Sequence, residues 1–203
     1  MAALRDPDAA LMLRVKRGDF DAFEELVDKY KQPVMNMIYR TLPDPTEAED
    51  LAQGVFIQVY RSAERYRASA KFSTWLFTIA RNLCLNEIRR RSRHPAESLN
   101  APSAAQEDAP AKQVEDVKQF GPDKTLLLRE LEERIEEAVA DLPENQRIAI
   151  LLCRQKELAY EDISDVLGCS LSATKSLIHR ARETLKERLK PYLRSGAWQE
   201  KSS

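Results

Sequence analysis

The chain has 203 residues with 32 Lys+Arg against 33 Asp+Glu, a formal net charge of −1. That balance excludes a uniformly basic nucleic-acid coat protein but leaves room for local basic faces. At 43% hydrophobic and 32% charged it can build a core and stay soluble, and only 5 glycines argue against Rossmann, P-loop and turn-rich all-β architectures. An all-α fold is expected.

The segment Met1–Arg17 interleaves Arg5, Asp6, Asp8, Arg14 and Lys16 with apolar residues, which is not a signal-peptide pattern. Gly18-Asp19 closes a short helix and caps the next, in which Phe23, Leu26, Val27 and Tyr30 recur at helical spacing. Pro33 suits the first turn of a third helix through Ile38. Asp44-Pro45-Thr46-Glu47 predicts a strong helix start, with Ala48, Leu51, Ala52, Val55, Phe56 and Val59 on one stripe. Ser73-Thr74 is expected to cap a long helix with Leu76, Ile79, Ala80 and Leu83 facing inward.

From His94 to Lys124 the apolar periodicity fades. Four prolines, many alanines and a local charge of −3 predict an acidic, flexible linker. The pattern then resumes. Leu127, Leu131, Ile135, Ala138 and Leu142 predict one amphipathic helix, and Pro143 starts another through Leu152. A short helix from Tyr160 to Leu167, a Gly168 stop and a helix from about Ser170 to Leu189 complete the chain. The expected fold is two small helical bundles on a tether: residues 1–93, linker 94–124, residues 125–194, and a tail 195–203 carrying Trp198. No apolar run approaches a membrane span, so no membrane insertion is expected. Cys84, Cys153 and Cys169 are too far apart for a CxxC site and read as reduced thiols of a cytoplasmic protein.

The sharpest local signal is C-terminal. A short helix, the Gly168-Cys169-Ser170 turn and a basic second helix make a helix-turn-helix, because glycine takes the left-handed conformation of the reversal cheaply. Leu171, Thr174, Ile178, Ala181 and Leu185 share the packing face. Ser172, Ser176 and His179 point away from it with Ala173 and Arg180 beside them, and Lys175 and Arg182 flank it. Short polar side chains for base edges and cations for phosphates suit the major groove. From Lys175 to Arg194 the local charge is +5. An ordinary solvated helix is the blander reading.

A second basic face, also +5, runs from Lys71 to Arg93. On a helix, Trp75, Thr78, Asn82, Asn86, Arg89 and Arg93 share a stripe opposite Leu76, Ile79 and Leu83. It offers a stacking platform, amides and phosphate-neutralising arginines to a nucleic-acid strand. The preceding loop, Tyr66 to Phe72, has aromatics at both ends and room for an unstacked base. A structural role for Trp75 and Phe72 in the core stays equally open at this level. Asp44, Glu47, Glu49 and Asp50 favour the positive end of a helix dipole, yet Asp50, Gln53 and Ile57 also form an outer face suited to docking a protein.

Several runs together resemble a known family. Glu47-Ala48-Glu49-Asp50-Leu51-Ala52-Gln53-Gly54-Val55-Phe56 resembles the AEDLxQxxF signature of sigma region 2, and Phe72 to Asn82 resembles the FxTWLxxIARN stretch that follows it. Leu142-Pro143 with Arg147, Tyr160 to Ile163, and Lys175 to Arg182 look like region 4. The pattern is that of the extracytoplasmic-function (ECF) class of bacterial sigma factors. Gly54 stands where the family usually has Glu, Ser172 and Thr174 replace the usual small-glycine and valine positions, and Leu177 stands where Arg is common.

The resemblance implies a dissociable subunit of RNA polymerase, not an enzyme, with no cofactor and no metal. Glu47, Asp50, Gln53 and Ile57 would dock on core polymerase. Tyr66, Lys71, Trp75, Thr78, Asn82, Asn86, Arg89 and Arg93 would meet the −10 promoter element. Ser172, Ala173, Lys175, Ser176, His179 and Arg180 would read the −35 element, and an anti-sigma factor is the expected regulator. A flexible 31-residue linker spans ~30 Å on average and ~100 Å fully stretched, against the ~70–85 Å separating two such elements. Free in solution, the two blocks are therefore expected to fold back on each other. A stand-alone dimeric helix-turn-helix regulator is the competing reading, though it leaves the Trp75/Asn82 stripe unused, and a helical adaptor needs both basic faces to be mere surface.

Overall fold

The computed structural model describes residues 6–42, 44–93 and 122–195, which fold into eight α-helices and one 3-10 turn, with no strand among them. Among the described residues no helix is long and apolar enough to cross a membrane. Most of the expected linker (94–121), the end of the tail with Trp198 (196–203) and Arg5 lie outside the described residues.

In the first block, Asp6 accepts from the Asp8 amide (3.0 Å) and opens α1 (Pro7–Val15). Gly18 turns the chain at φ +90°, and Asp19 then accepts from the Ala22 amide at 3.1 Å to cap α2 (Phe20–Thr41). That amide and the Arg14 guanidinium hold the Asp19 carboxyl below its ordinary range. One expectation fails here: Pro33 does not start a new helix but lies inside α2. It forfeits one backbone hydrogen bond, at a cost of about 3 kcal/mol. Tyr30 on one side of it and Val34, Met37 and Ile38 on the other are all buried, and each buried apolar side chain returns about 1.5–3 kcal/mol. Continuous burial therefore outweighs the local penalty.

Asp44 caps α3 (Pro45–Arg61), accepting from the Glu47 amide at 3.3 Å, as its position suggests. Midway along α3, a methyl added to Gly54 would meet only Leu83 Cδ1 at 4.0 Å. Gly54→Ala is expected to stabilise the chain by about 0.5–1 kcal/mol, raising Tm by about 1–4 °C in thermal circular dichroism.

The start of α4 (Phe72–Arg93) corrects a second expectation. Ser73 and Thr74 are buried within its first turn and do not cap it. Asp6 serves instead, its Oδ2 accepting from the Phe72 amide at 2.7 Å while Oδ1 caps α1. One carboxylate thus caps the starts of two helices, the second of them 66 residues further along the chain, which local sequence spacing cannot reveal.

The second block comprises α5 (Pro122–Ala140), α6 (Glu144–Cys153), α7 (Tyr160–Leu167) and α8 (Leu171–Ser195). α5 packs along its C-terminal half, where Ala138 and Val139 are buried; Leu127, expected inward, is 61% exposed. α8 runs past the expected Leu189 end and through Pro191, because Tyr192 is buried there. Gly168 adopts φ +65°, and the Cys169 amide donates to the Ser164 carbonyl at 3.1 Å, so the helix-turn-helix closes as its glycine predicts.

The two blocks pack together. α7 lies against α4, and α6 and α5 lie against α2. Buried Ile148, Leu152, Ile163 and Ile178 join one apolar core with Phe72, Leu76, Tyr30 and Met37. Arg147 donates to the Thr41 carbonyl at the end of α2 (3.0 Å), and Arg40 faces Glu136 at 3.7 Å.

Candidate nucleic-acid interface

α4 owes its position to one apolar side. Leu76, Phe77, Ala80, Cys84 and Leu85 are buried, and burial pushes the Cys84 thiol up to about 12, which leaves it protonated and unreactive. The opposite side carries the predicted stripe. Asn82, Asn86, Arg89 and Arg93 are exposed, while Trp75 and Thr78 are half-buried at its base. Trp75 is fixed by the rings of Tyr66 and Phe72, with centroids 4.9 and 6.0 Å away. The Thr78 hydroxyl donates back to the Thr74 carbonyl at 2.7 Å. At 1.5 Å per residue the stripe from Trp75 to Arg89 is about 21 Å long, enough for several nucleotides.

Two members of the expected −10 set are placed differently. Tyr66 is 3% exposed, so its ring supports Trp75 from below and does not face solvent. Its carbonyl accepts from Lys16 Nζ at 3.0 Å, and burial, with Asp6 and Asp8 nearby, pushes its phenol up to about 12. Aromatic packing wins because both ends of the loop, Tyr66 and Phe72, insert into the same cluster. Lys71 is held by Asp162 at 2.8 Å and does not project freely.

On α8 the two faces separate as the heptad spacing predicts. Thr174, Ile178 and Ala181 are buried against the rest of the block, whereas Ser172, Ala173, Lys175, Ser176, His179 and Arg180 are all exposed. The Ser176 hydroxyl donates to the Ser172 carbonyl at 3.0 Å. Arg182, at the edge, lies near Tyr160 Oη (3.5 Å) and Cys153 Sγ (3.4 Å), which ties α8 to the first helix of the pair and to α6.

The acidic face also divides. Asp50, Gln53 and Ile57 are exposed on α3. Glu47 is instead drawn into an internal ion cluster: its carboxylate pairs with Arg91 and lies 3.7 Å from Arg90, and both arginines also reach Glu87. The sequence places Glu47 more than 40 residues from Arg90 and Arg91, so only the packing of α3 on α4 reveals the pairing. Beside Ile57 the structure opens an apolar groove of about 260 Å³, lined by Phe20, Phe23, Phe56, Tyr60 and Arg61, that the sequence reading missed. Phe20 (63% exposed) and Tyr60 (51%) flank it. The available signal was Phe20 standing alone just after the Asp19 cap, off the inward stripe.

Comparison with known proteins follows this division. Residues 26–94 match the sigma-70 region 2 family and residues 132–185 match the sigma-70 region 4 family. The chain is 36% identical over 193 residues to the RNA polymerase sigma-H factor of Pseudomonas aeruginosa, covering 94% of this chain and 97% of that one. It is 34% identical over 177 residues to the ECF RNA polymerase sigma factor SigW of Bacillus subtilis, covering 87% and 94%. Its fold is similar to that of the sigma factor RpoE of Bartonella quintana in complex with the anti-sigma factor NepR, at a TM-score of 0.64 and 24% identity, covering 83% and 96%.

Proposed function

Because the chain belongs to the ECF RNA polymerase sigma factors, we propose that it is a dissociable sigma subunit that directs core polymerase to promoters and assists strand opening at the start site. Residues 1–93 form the domain that docks on polymerase and meets the −10 element. Residues 125–194 form the domain that reads the −35 element, and the segment between them is the tether. The observation that carries this reading is the presence of two exposed polar and cationic stripes, one on α4 and one on α8, each backed by its own buried face.

In this account Asn82 and Asn86 hydrogen-bond the bases of the opened −10 strand, half-buried Trp75 provides the stacking surface, and Arg89 and Arg93 neutralise phosphates. The energy of capture offsets unstacking, which costs a few kcal/mol per base, so no hydrolysis is required and the protein is not an enzyme. On α8, Lys175 and Arg180 contact phosphates or guanine edges, and Ser172, Ala173, Ser176 and His179 face the major groove. Asp50, Gln53 and Ile57 contact core polymerase. The site is cytoplasmic, and an anti-sigma factor is the expected antagonist, as the Bartonella factor is seen bound to one.

Run-off transcription with bacterial core polymerase and a library of promoter fragments tests the assignment. Specific initiation is expected, and Asn82→Ala is expected to lower it by about 5–150-fold, the range of one base contact worth about 1–3 kcal/mol. Asp50→Ala should reduce polymerase binding while leaving the circular dichroism spectrum unchanged. Duplex binding without polymerase and no initiation from any fragment would overturn the reading in favour of a stand-alone regulator.

A further inference from the structure

The two cap residues of α1 reach the two ends of one loop. Asp6, the N-cap, accepts from the Phe72 amide through Oδ2 at 2.7 Å, where the loop enters α4. Lys16, the C-cap, donates through Nζ to the Tyr66 carbonyl at 3.0 Å, where the loop begins. Between these feet run residues 67–71, of which Arg67, Ser69 and Ala70 are exposed. The feet converge: the Tyr66 and Phe72 rings lie 6.3 Å apart, and both pack on Trp75. Inside the loop the Ser69 amide donates to the Arg67 carbonyl at 2.8 Å, which folds it back on itself.

α1 is itself fixed. Ala9, Met12 and Val15 are buried in the core, and the buried Asp8 carboxylate accepts from Lys29 Nζ (2.6 Å) and the Tyr30 hydroxyl (2.5 Å) of α2. A nine-residue helix about 13 Å long, seated in this way, is a rigid strut whose ends do not move independently. Asp6 suits its end because a carboxylate has two acceptor oxygens: Oδ1 takes the Asp8 amide at 3.0 Å and leaves Oδ2 for Phe72. Lys16 suits the other because an ammonium on a flexible four-carbon stem can swing onto a carbonyl beyond the helix end. α1 precedes residues 26–94, the stretch matched to region 2, and all of these contacts are internal to the first block.

We propose that Asp6 and Lys16 are positioning residues for base capture: α1 holds both feet of loop 67–71, and the loop is thereby ordered beside Trp75 before a −10 base reaches it. An unheld loop loses conformational freedom when it closes on a base, whereas a loop already held does not, so the clamp strengthens capture without touching DNA. The role in capture rests on the sigma reading above; the clamp on the loop does not.

Hydrogen exchange of the full free chain, followed amide by amide by NMR, tests the clamp without polymerase or DNA. Lys16→Met keeps the stem and removes the donor. It is expected to speed exchange of the Ser69 and Phe72 amides by about 3–10-fold, while buried Val55 and Ala80 keep their native rates. Asp6→Ala should release the loop from its other foot, with Ser69 as the reporter. Lys16→Arg restores a donor and is expected to return the loop to native rates. Unchanged loop rates in Lys16→Met overturn the clamp, as does a parallel rise at Val55 and Ala80.

Initiation tests the consequence. On a fragment from which the native chain and core polymerase initiate, Lys16→Met is expected to lower initiation by about 3–10-fold. The loss should shrink to less than about twofold when the −10 element of that fragment is unpaired beforehand, since the strand is then already unstacked. An equal fall on both templates marks a merely structural role and overturns the proposal. If the native chain initiates from no fragment, the sigma reading fails and the capture role with it, and the exchange rates alone decide the clamp.

Discussion

Phe72→Ala is expected to destabilise the first block by about 3–5 kcal/mol, lowering Tm by roughly 6–20 °C. The side chain is fully buried, and its ring contacts those of Tyr30, Tyr66 and Trp75, with centroids 5.4, 6.3 and 6.0 Å away. Truncation removes the transfer energy of the ring, opens a cavity and strips the edge-on aromatic contacts, each of which adds about 0.5–1.5 kcal/mol. Tyr66 and Trp75 lean on this ring, so the loss extends to the platform beneath the α4 stripe. Thermal denaturation followed by circular dichroism measures the first effect, and the intrinsic tryptophan emission of the folded protein measures the second, with a red shift expected as Trp75 loosens. A fall below 1 kcal/mol would mean that the cluster collapses to fill the space and that Phe72 does not organise it. Phe72→Leu should recover more than half of the loss, since it restores most of the apolar volume.

Arg147→Ala is expected to cost about 2–3 kcal/mol. Its guanidinium donates to three backbone carbonyls: Thr41 at the end of α2 (3.0 Å), Leu142 (3.0 Å) and Ala140. Ala140 is the last residue of α5 and Leu142 lies in the turn after it, where the helix leaves carbonyls without intrahelical partners. One charged group therefore closes the α5–α6 corner and joins it to the first block. Burial lowers the pKa of Arg147, but a guanidinium remains charged throughout the working range, so its hydrogen bonds do not titrate away. Each charged bond contributes more than a neutral one, and half-exposure reduces the sum. Arg147→Lys should recover little, because an ammonium cannot present the planar fork that reaches three carbonyls at once. Urea denaturation of the three proteins checks this order, and equal stability of the Lys variant would argue for a simple charge effect.

These two side chains illustrate how much of the molecule was legible beforehand. The helices and their order follow from apolar spacing and from local stop and start signals. Gly18, Asp19, Asp44 and Gly168 behave as their chemistry dictates, because a cap or a left-handed turn is settled within four residues. The α8 faces were equally readable, since a 3.6-residue period separates buried Thr174, Ile178 and Ala181 from exposed Ser172, Ser176 and His179 without reference to the rest of the chain. Pro33 and Ser73-Thr74 misled for the same physical reason. Their local preferences are worth one to three kcal/mol, and burial of neighbouring side chains or a distant carboxylate exceeds that.

The functional surfaces divide along the same line. Sequence by itself determined the all-helical class, the two-block order, the family, and which helix faces are polar and cationic, because these depend on composition and on periodicity within single helices. Only the tertiary structure decided which of those charges are available. It turned Tyr66 inward, spent Glu47 on Arg91 and Arg90, set Lys71 against Asp162, and opened the Phe20/Tyr60 groove. The ion pairs and the groove join residues tens of positions apart, and a charge acquires its partner only when two helices pack. Their spacing along the chain carries no trace of that.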